Sequence, residues 1–320
     1  MKKGYVYIAL STFLFSTMEI ALKTVGSNFN PIQLSMTRFL IGGIVLLPFA
    51  LKSLKEKSIS LNLSDLKYFS FLGFMCVVIS MTFYQLAVST SKASVVAVLF
   101  SCNPVFVMFF AYILLRENIH KNNIISLILE IIGILIIINP LHTNLNLNGV
   151  LLTLLSAITF AIYGVLGKKK CIKFGGLAVT CFSFIFGSLE MIILSLLTKF
   201  DFVSNLLNSN GLGTFSNIPF FTGYTLSNIL YVIYIFVFVT GVGYALYFKA
   251  MEETSANTAS LVFFFKPVLS PILAFLLIHE HIPFNMVIGI IFIILGSISS
   301  LFPSIFNNKY KDDNKAIEES

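Results

Sequence analysis

The chain has 320 residues, 57% hydrophobic and only 11% charged, with a formal net charge of +7 and a mean hydropathy of +0.92. So much apolar material exceeds what a soluble core needs, and repeated apolar runs of about 18 or more residues match the hydrocarbon thickness of a bilayer. The Lys and Arg residues are dispersed over short loops, which excludes a nucleic-acid surface and fits charges that orient a membrane protein.

The N-terminal Met1-Lys2-Lys3 followed by an apolar run imitates a signal peptide. The run carries Glu19 and Lys23 and lacks a small-x-small cleavage site, so it reads as a first membrane helix. The spacing predicts ten helices, at about residues 4–24, 31–51, 66–88, 93–115, 122–139, 147–167, 175–198, 227–249, 255–278 and 284–306. Segment 199–226, rich in Asn, Ser, Gly and Phe, is the one long connection, and residues 307–320 form a charged tail expected to be disordered and cytoplasmic. With a cytoplasmic N-terminus the outer side carries only Lys23, Lys92 and Lys199, while the remaining loop Lys and Arg face inward. This predicts a multi-pass protein of the plasma membrane with both termini cytoplasmic.

A duplication organises these helices. An offset of 163 residues carries Tyr84 onto Tyr247, Ala87 onto Ala250, Pro104 onto Pro267 and Gly133 onto Gly296. An offset of 145 carries Gly4 onto Gly149, Ser11 onto Ser156, Lys23 onto Lys168 and Gly42 onto Gly187. The step between the two offsets is the long external loop. The expected fold is therefore an all-α membrane protein, with ten transmembrane helices in two inverted five-helix repeats at 4–139 and 147–306. An odd helix number per repeat sets the halves in opposite orientations, the arrangement of secondary transporters with a site near the bilayer midplane.

The segments Ala87–Ala93, Asn103-Pro104 and Arg116-Glu117, their counterparts Ala250–Ala256, Lys266-Pro267 and His279-Glu280, and Thr37-Arg38-Phe39 with Gly42-Gly43 resemble the EamA-type permeases of the drug/metabolite transporter superfamily. The likeness runs over about residues 4–306. It implies transport of amino acids, metabolites or drugs across a bacterial inner membrane, in many members outward. Lys266, a cation in the middle of helix 9, departs from the family pattern and marks a subgroup.

Ionisable groups at membrane depth are costly and normally face the bundle interior. Glu19 shares a helical face with Thr12, Ser16 and Lys23, a polar stripe suited to a cavity wall or to a helix seam. Arg38 lies at nearly the same depth as Glu19, so the two are expected to pair, either as an anion-recognising arginine gated by Glu19 or as a structural ion pair. Lys266 precedes Pro267, which deprives the Phe263 carbonyl of its helical partner, as Pro104 does for Phe100. Both prolines are predicted helix breaks, with Asn103 as the counterpart of Lys266 and Ser270 one turn beyond it. Substrate contacts are expected from Lys266, Asn103, Arg38, Glu19, Ser270, Ser16, Tyr84 and Tyr247. Proton-coupling candidates are Glu19, Glu130 and Glu190, with neutralisation of Lys266 by Glu130 or Glu190 as the structural alternative. Tyr163 is a lesser cavity candidate.

Glu117 and Glu280 are expected to bond neighbouring helix ends. His120, His142, His279 and His281 and the four cysteines lack metal-ligand spacing, and no Walker or nucleophile motif occurs. The expectation is no enzyme, no cofactor and no metal. The partners expected are a small-molecule substrate and the lipid bilayer, with no nucleic acid, in a monomer or homodimer. The favoured function is a secondary transporter of small organic metabolites, an amino acid or other carboxylate first, exported by alternating access. The rival is an exporter of lipophilic cations, against which a deep Lys266 argues by repulsion.

Overall fold

A computed structural model describes residues 2–116, 121–138, 146–263, 266–296 and 298–299. Glu117, His120, His142 and the 307–320 tail lie outside these. The described residues form helices, turns and loops, with no strand among them. Seven helical stretches are long and apolar enough to cross a membrane: Lys3–Gly26, Pro31–Glu56, Leu63–Thr90, Ala93–Leu115, Leu147–Phe174, Gly176–Leu197 and Ile229–Glu253. Three shorter apolar helices cover Ile124–Ile137, Lys266–Ile278 and Phe284–Gly296. Among the described residues, seven of the ten expected helices are thus long and apolar enough to span a bilayer, and the other three are shorter.

Local sequence explains most helix boundaries. The first stretch is α1 (Lys2–Ser16) and α2 (Met18–Gly26), broken at Thr17. Thr12, Ser16 and Thr17 each bond a carbonyl of the preceding turn, at 2.7–2.8 Å, a habit that bends helices. Helix α3 (Pro31–Glu56) starts where the Asn30 side chain accepts from the amides of Ile32 and Gln33, with Pro31 placed where no N–H is needed. Helix α4 (Leu63–Gly73) carries a reciprocal Asn62/Asp65 capping box and runs through a π-helical stretch, Phe74–Ser80, into α5 (Met81–Thr90). Helices α6 (Ala93–Phe100) and α7 (Asn103–Leu115) follow, then α8 (Lys121–Ile138).

Helix α9 (Leu147–Phe174) gives way to α10 (Gly176–Leu197) through Gly175, whose φ of 84° suits only glycine. The expected long loop is folded rather than loose. It contains α11 (Asp201–Ser209) and lies over the start of α3, where Asn30 and Gln33 donate side-chain bonds to the carbonyls of Thr214 and Thr222. Helix α12 (Ile229–Ile233), a π-helical stretch Tyr234–Gly243 and α13 (Tyr244–Glu253) make the next span. Helix α14 (Ala256–Ala259), a 3-10 turn Ser260–Phe263, α15 (Lys266–Ile278) and α16 (Phe284–Gly296) complete the described chain.

Irregularities recur at the offset of 163. Both π stretches end at matched residues, Ser80 and Gly243, and α5, α6 and α7 begin at counterparts of the first residues of α13, α14 and α15. Arg116 and His279, also matched, both take left-handed backbone conformations, at φ 57° and 54°. Close helix contacts use glycine: a Cβ on Gly73 of α4 or Gly187 of α10 would collide with the other's backbone.

Candidate functional site

The break at Thr17 sets Glu19 in the first turn of α2, the end of a helix whose dipole favours a carboxylate. On the facing side the chain is interrupted at Ser101 and Cys102 before α7 restarts at Asn103, with Pro104 in its first turn. The Ser101 amide is shared between the carbonyls of Ala97 and Val98, and that of Cys102 closes a tighter turn onto Leu99, so the helix ends there. In the later half Lys266 opens α15 immediately before Pro267.

These irregular points meet in the interior. The Lys266 ammonium and a Glu19 carboxylate oxygen are 2.5 Å apart, and both side chains are wholly inaccessible. The Tyr84 hydroxyl donates a short hydrogen bond to that same Glu19 oxygen. Lys266 also lies over the rings of Phe100, Tyr84 and Phe263, at 5.0, 5.7 and 5.9 Å from their centroids, so the cation is held by one carboxylate and three π faces. Beyond the ion pair its ammonium meets no acceptor among the described residues.

Arg38 is equally buried but is not the partner of Glu19, contrary to expectation. Its guanidinium donates to two thioethers, Met18 Sδ at 3.7 Å and Met81 Sδ at 3.5 Å, and sits 4.5 Å from the centroid of the Phe39 ring. Its Nε has no acceptor among the described residues. Met81 Sδ also receives the Tyr244 hydroxyl, at 3.2 Å. Met81 and Tyr84 are neighbours on α5, so one helical turn joins the arginine cluster to the Glu19 cluster. Rise per residue fixes the depth of a side chain but not the direction it faces. The Thr17 break and the azimuth of each side chain direct Glu19 to Lys266.

The remaining candidates divide into near and far. Asn103 is buried and donates to the Ala157 carbonyl at 2.8 Å, leaving its Oδ1 without a partner among the described residues. Buried Ser270 and Tyr247 also have hydroxyls without partners there. Tyr247 packs against Phe15, Phe160 and Phe263. Ser16 is turned back onto Thr12, and Tyr163 bonds Ser183. The two other carboxylates are elsewhere, so neither neutralises Lys266: Glu130 of α8 bonds Ser126 at 3.1 Å beside Gly296, and Glu190 of α10 bonds Ser70. Met18 and Met81 were not singled out from sequence, since a methionine in an apolar run carries no signal; nor was Tyr244, although it is the counterpart of Met81.

Glu280 binds the start of α6, accepting from the amides of Ala93 and Ser94 at 2.8 and 3.0 Å and from the Ser94 hydroxyl at 2.7 Å. No group of three or more His, Cys, Asp or Glu capable of holding a metal occurs among the described residues. The four cysteines are buried free thiols.

The EamA-like transporter family matches residues 2–139 and again 147–302. The chain belongs to that family. A protein of Clostridium kluyveri, described as an uncharacterized transporter, is 40% identical over 99% of this chain and 97% of its own length. Uncharacterized transporters of Archaeoglobus fulgidus and of Bacillus subtilis (YyaM) are each 25% identical, over 92% and 94% of this chain and 97% and 94% of theirs. A crystal structure with 15% identity superimposes with a TM-score of 0.67 over 94% of this chain and 97% of the other, which carries the fold alone. This EamA protein is thus a multi-pass membrane transporter.

Proposed function

We propose that the chain is a ten-span secondary transporter of the plasma membrane, with both termini cytoplasmic, built from two inverted five-helix repeats and exporting a small carboxylate metabolite, an amino acid among them, by alternating access. The three shorter apolar helices supply the spans beyond the seven long ones. Support for the repeat comes from the irregularities recurring 163 residues apart and from paired contacts. The Ser11 hydroxyl donates to the Gly243 carbonyl at 2.9 Å, and its counterpart Ser156 donates to the carbonyl of the matched Ser80 at 2.8 Å.

One observation carries the substrate reading. Two cations, Arg38 and Lys266, lie in the sealed centre; among the described residues Glu19 is the carboxylate paired with Lys266, and Arg38 is left on two thioethers, which are weak acceptors. A buried guanidinium without an anion is costly, and a carboxylate arriving at Arg38 removes that cost. Met18 and Met81 are flexible enough to give way to it. A lipophilic cation entering the same space meets net positive charge.

Efflux and uptake in proteoliposomes against a panel of mono- and dicarboxylates, amino acids and organic cations, with and without a pH gradient, tests this. Transport of a carboxylate that is abolished in Arg38→Met supports the reading. Transport of organic cations alone overturns it in favour of a cation exporter.

A further inference from the structure

Lys23 near the end of α2 and Lys168 near the end of α9 make the same contacts at two ends of the molecule. Lys23 Nζ donates to the carbonyls of Val88 and Ser91 at 3.0 and 2.7 Å. Lys168 Nζ donates a short bond to the carbonyl of Met251 and another, at 2.8 Å, to that of Thr254. Met251 and Thr254 are the counterparts of Val88 and Ser91. In each case the acceptors lie at the C-terminal end of a helix, α5 or α13, where carbonyls lack intrahelical donors and the dipole favours a cation.

The other side of each helix end is also matched. A Cβ on Gly149 would strike Ser91 and Thr90, and a Cβ on Gly4 would strike Thr254 and Glu253. So the end of α5 is clamped between a lysine of the first repeat and a glycine of the second. The end of α13 is clamped between a lysine of the second repeat and a glycine of the first. Lys23 further borders an open recess of about 270 Å³ lined by Ser91, Lys92, Asn146 and Glu280, so water reaches this latch when it loosens. Between the two clamps, Glu19, Lys266 and Arg38 are wholly sealed.

We infer that Lys23 and Lys168 are the two gate residues of the transport cycle: Lys23 latches the outer mouth by holding α5, and Lys168 latches the inner mouth by holding α13. The structure has both latches closed, an occluded state. Release of one latch frees one helix end and opens one mouth, while the other keeps the far side shut. The assignment of sides rests on the inverted-repeat reading above; the pairing of the latches does not.

The four native thiols are buried, so single introduced cysteines report opening. Val96→Cys lies one turn inside the first clamp and Ala259→Cys, at the matched position, one turn inside the second; both parent residues are wholly buried. Cells or oriented vesicles carrying each reporter in the full chain are treated with a membrane-impermeant maleimide. Lys23→Met is expected to raise labelling at Val96→Cys severalfold and lower it at Ala259→Cys, with Lys168→Met doing the reverse. Lys23→Arg and Lys168→Arg, which retain the cation, stay near the parent pattern and guard against a folding defect. If Lys23→Met raises both reporters alike, or changes neither, the latch assignment is overturned. If the reciprocal pattern holds but each reporter labels from the opposite side of the membrane, the latches stand and the orientation falls.

Discussion

The Glu19 carboxylate and the Lys266 ammonium, contributed by the first and the second half of the chain, close an ion pair of 2.5 Å in the sealed interior. Both ions have left water completely, so the pair is a relationship of mutual need rather than a large source of stability. Removing one partner strands the other.

Glu19→Gln alone is therefore expected to destabilise the detergent-solubilised protein by about 3–5 kcal/mol, and Lys266→Met alone by a similar amount. The double substitution should recover most of that loss. Thermal melts of the three variants check this; additive losses in the double variant would show that the pair is not coupled.

Tyr84 and Tyr247 are matched residues in unmatched situations. Tyr84 donates to the Glu19 carboxylate, whereas the Tyr247 hydroxyl has no partner among the described residues. Tyr84→Phe should cost about 1.5–3 kcal/mol, the usual worth of a hydrogen bond to a charged group, while Tyr247→Phe should leave the melting temperature unchanged. Equal shifts in the two variants would contradict the assignment.

Arg38 offers the opposite sign. Replacing a buried cation held by two thioethers with Met removes a desolvated charge, so Arg38→Met should melt at or above the parent temperature. The same variant should lose at least tenfold in carboxylate flux. A strong loss of stability with Arg38→Met would mark the residue as structural.

Glycine packing supplies a control in the scaffold. Gly73→Ala forces α4 from α10 at a backbone contact and should cost about 1–3 kcal/mol as overpacking. Gly26→Ala, where a Cβ would meet nothing within 4 Å, should be neutral. Expression and melting of the two variants, side by side, test the contact.

The repeat was readable in sequence because it is written in residues with unmistakable backbone meaning, such as Pro104 and Pro267, and in charges such as Lys23 and Lys168. The buried ionisable residues were readable too, since any charge in an apolar run stands out. Their partners were not. A helix gives depth at a fixed rise per residue, but the break at Thr17 and the interruption before Asn103 rotate side chains by amounts no spacing records. That is why Glu19 was expected at Arg38 and is found at Lys266. Methionine thioethers at Arg38 were invisible for a different reason: Met18 and Met81 look like ordinary apolar filling. The 199–226 segment read as loop because it has no long apolar run: its helix α11 is short, and the bonds that tie it down to Asn30 and Gln33 lie far back in the chain.

The crossed serine bonds, Ser11 to Gly243 and Ser156 to Ser80, have a consequence for what counts as a part of this molecule. The opening helix of each repeat is fastened to the third helix of the other, so the border drawn by the duplicated sequence is not a seam along which the molecule comes apart. A single repeat, made alone, carries a serine donor and a carbonyl acceptor whose partners both belong to a second copy. The interlocked pair is therefore the expected folding unit, and a chain cut between residues 139 and 147 should work only when the two fragments are made together.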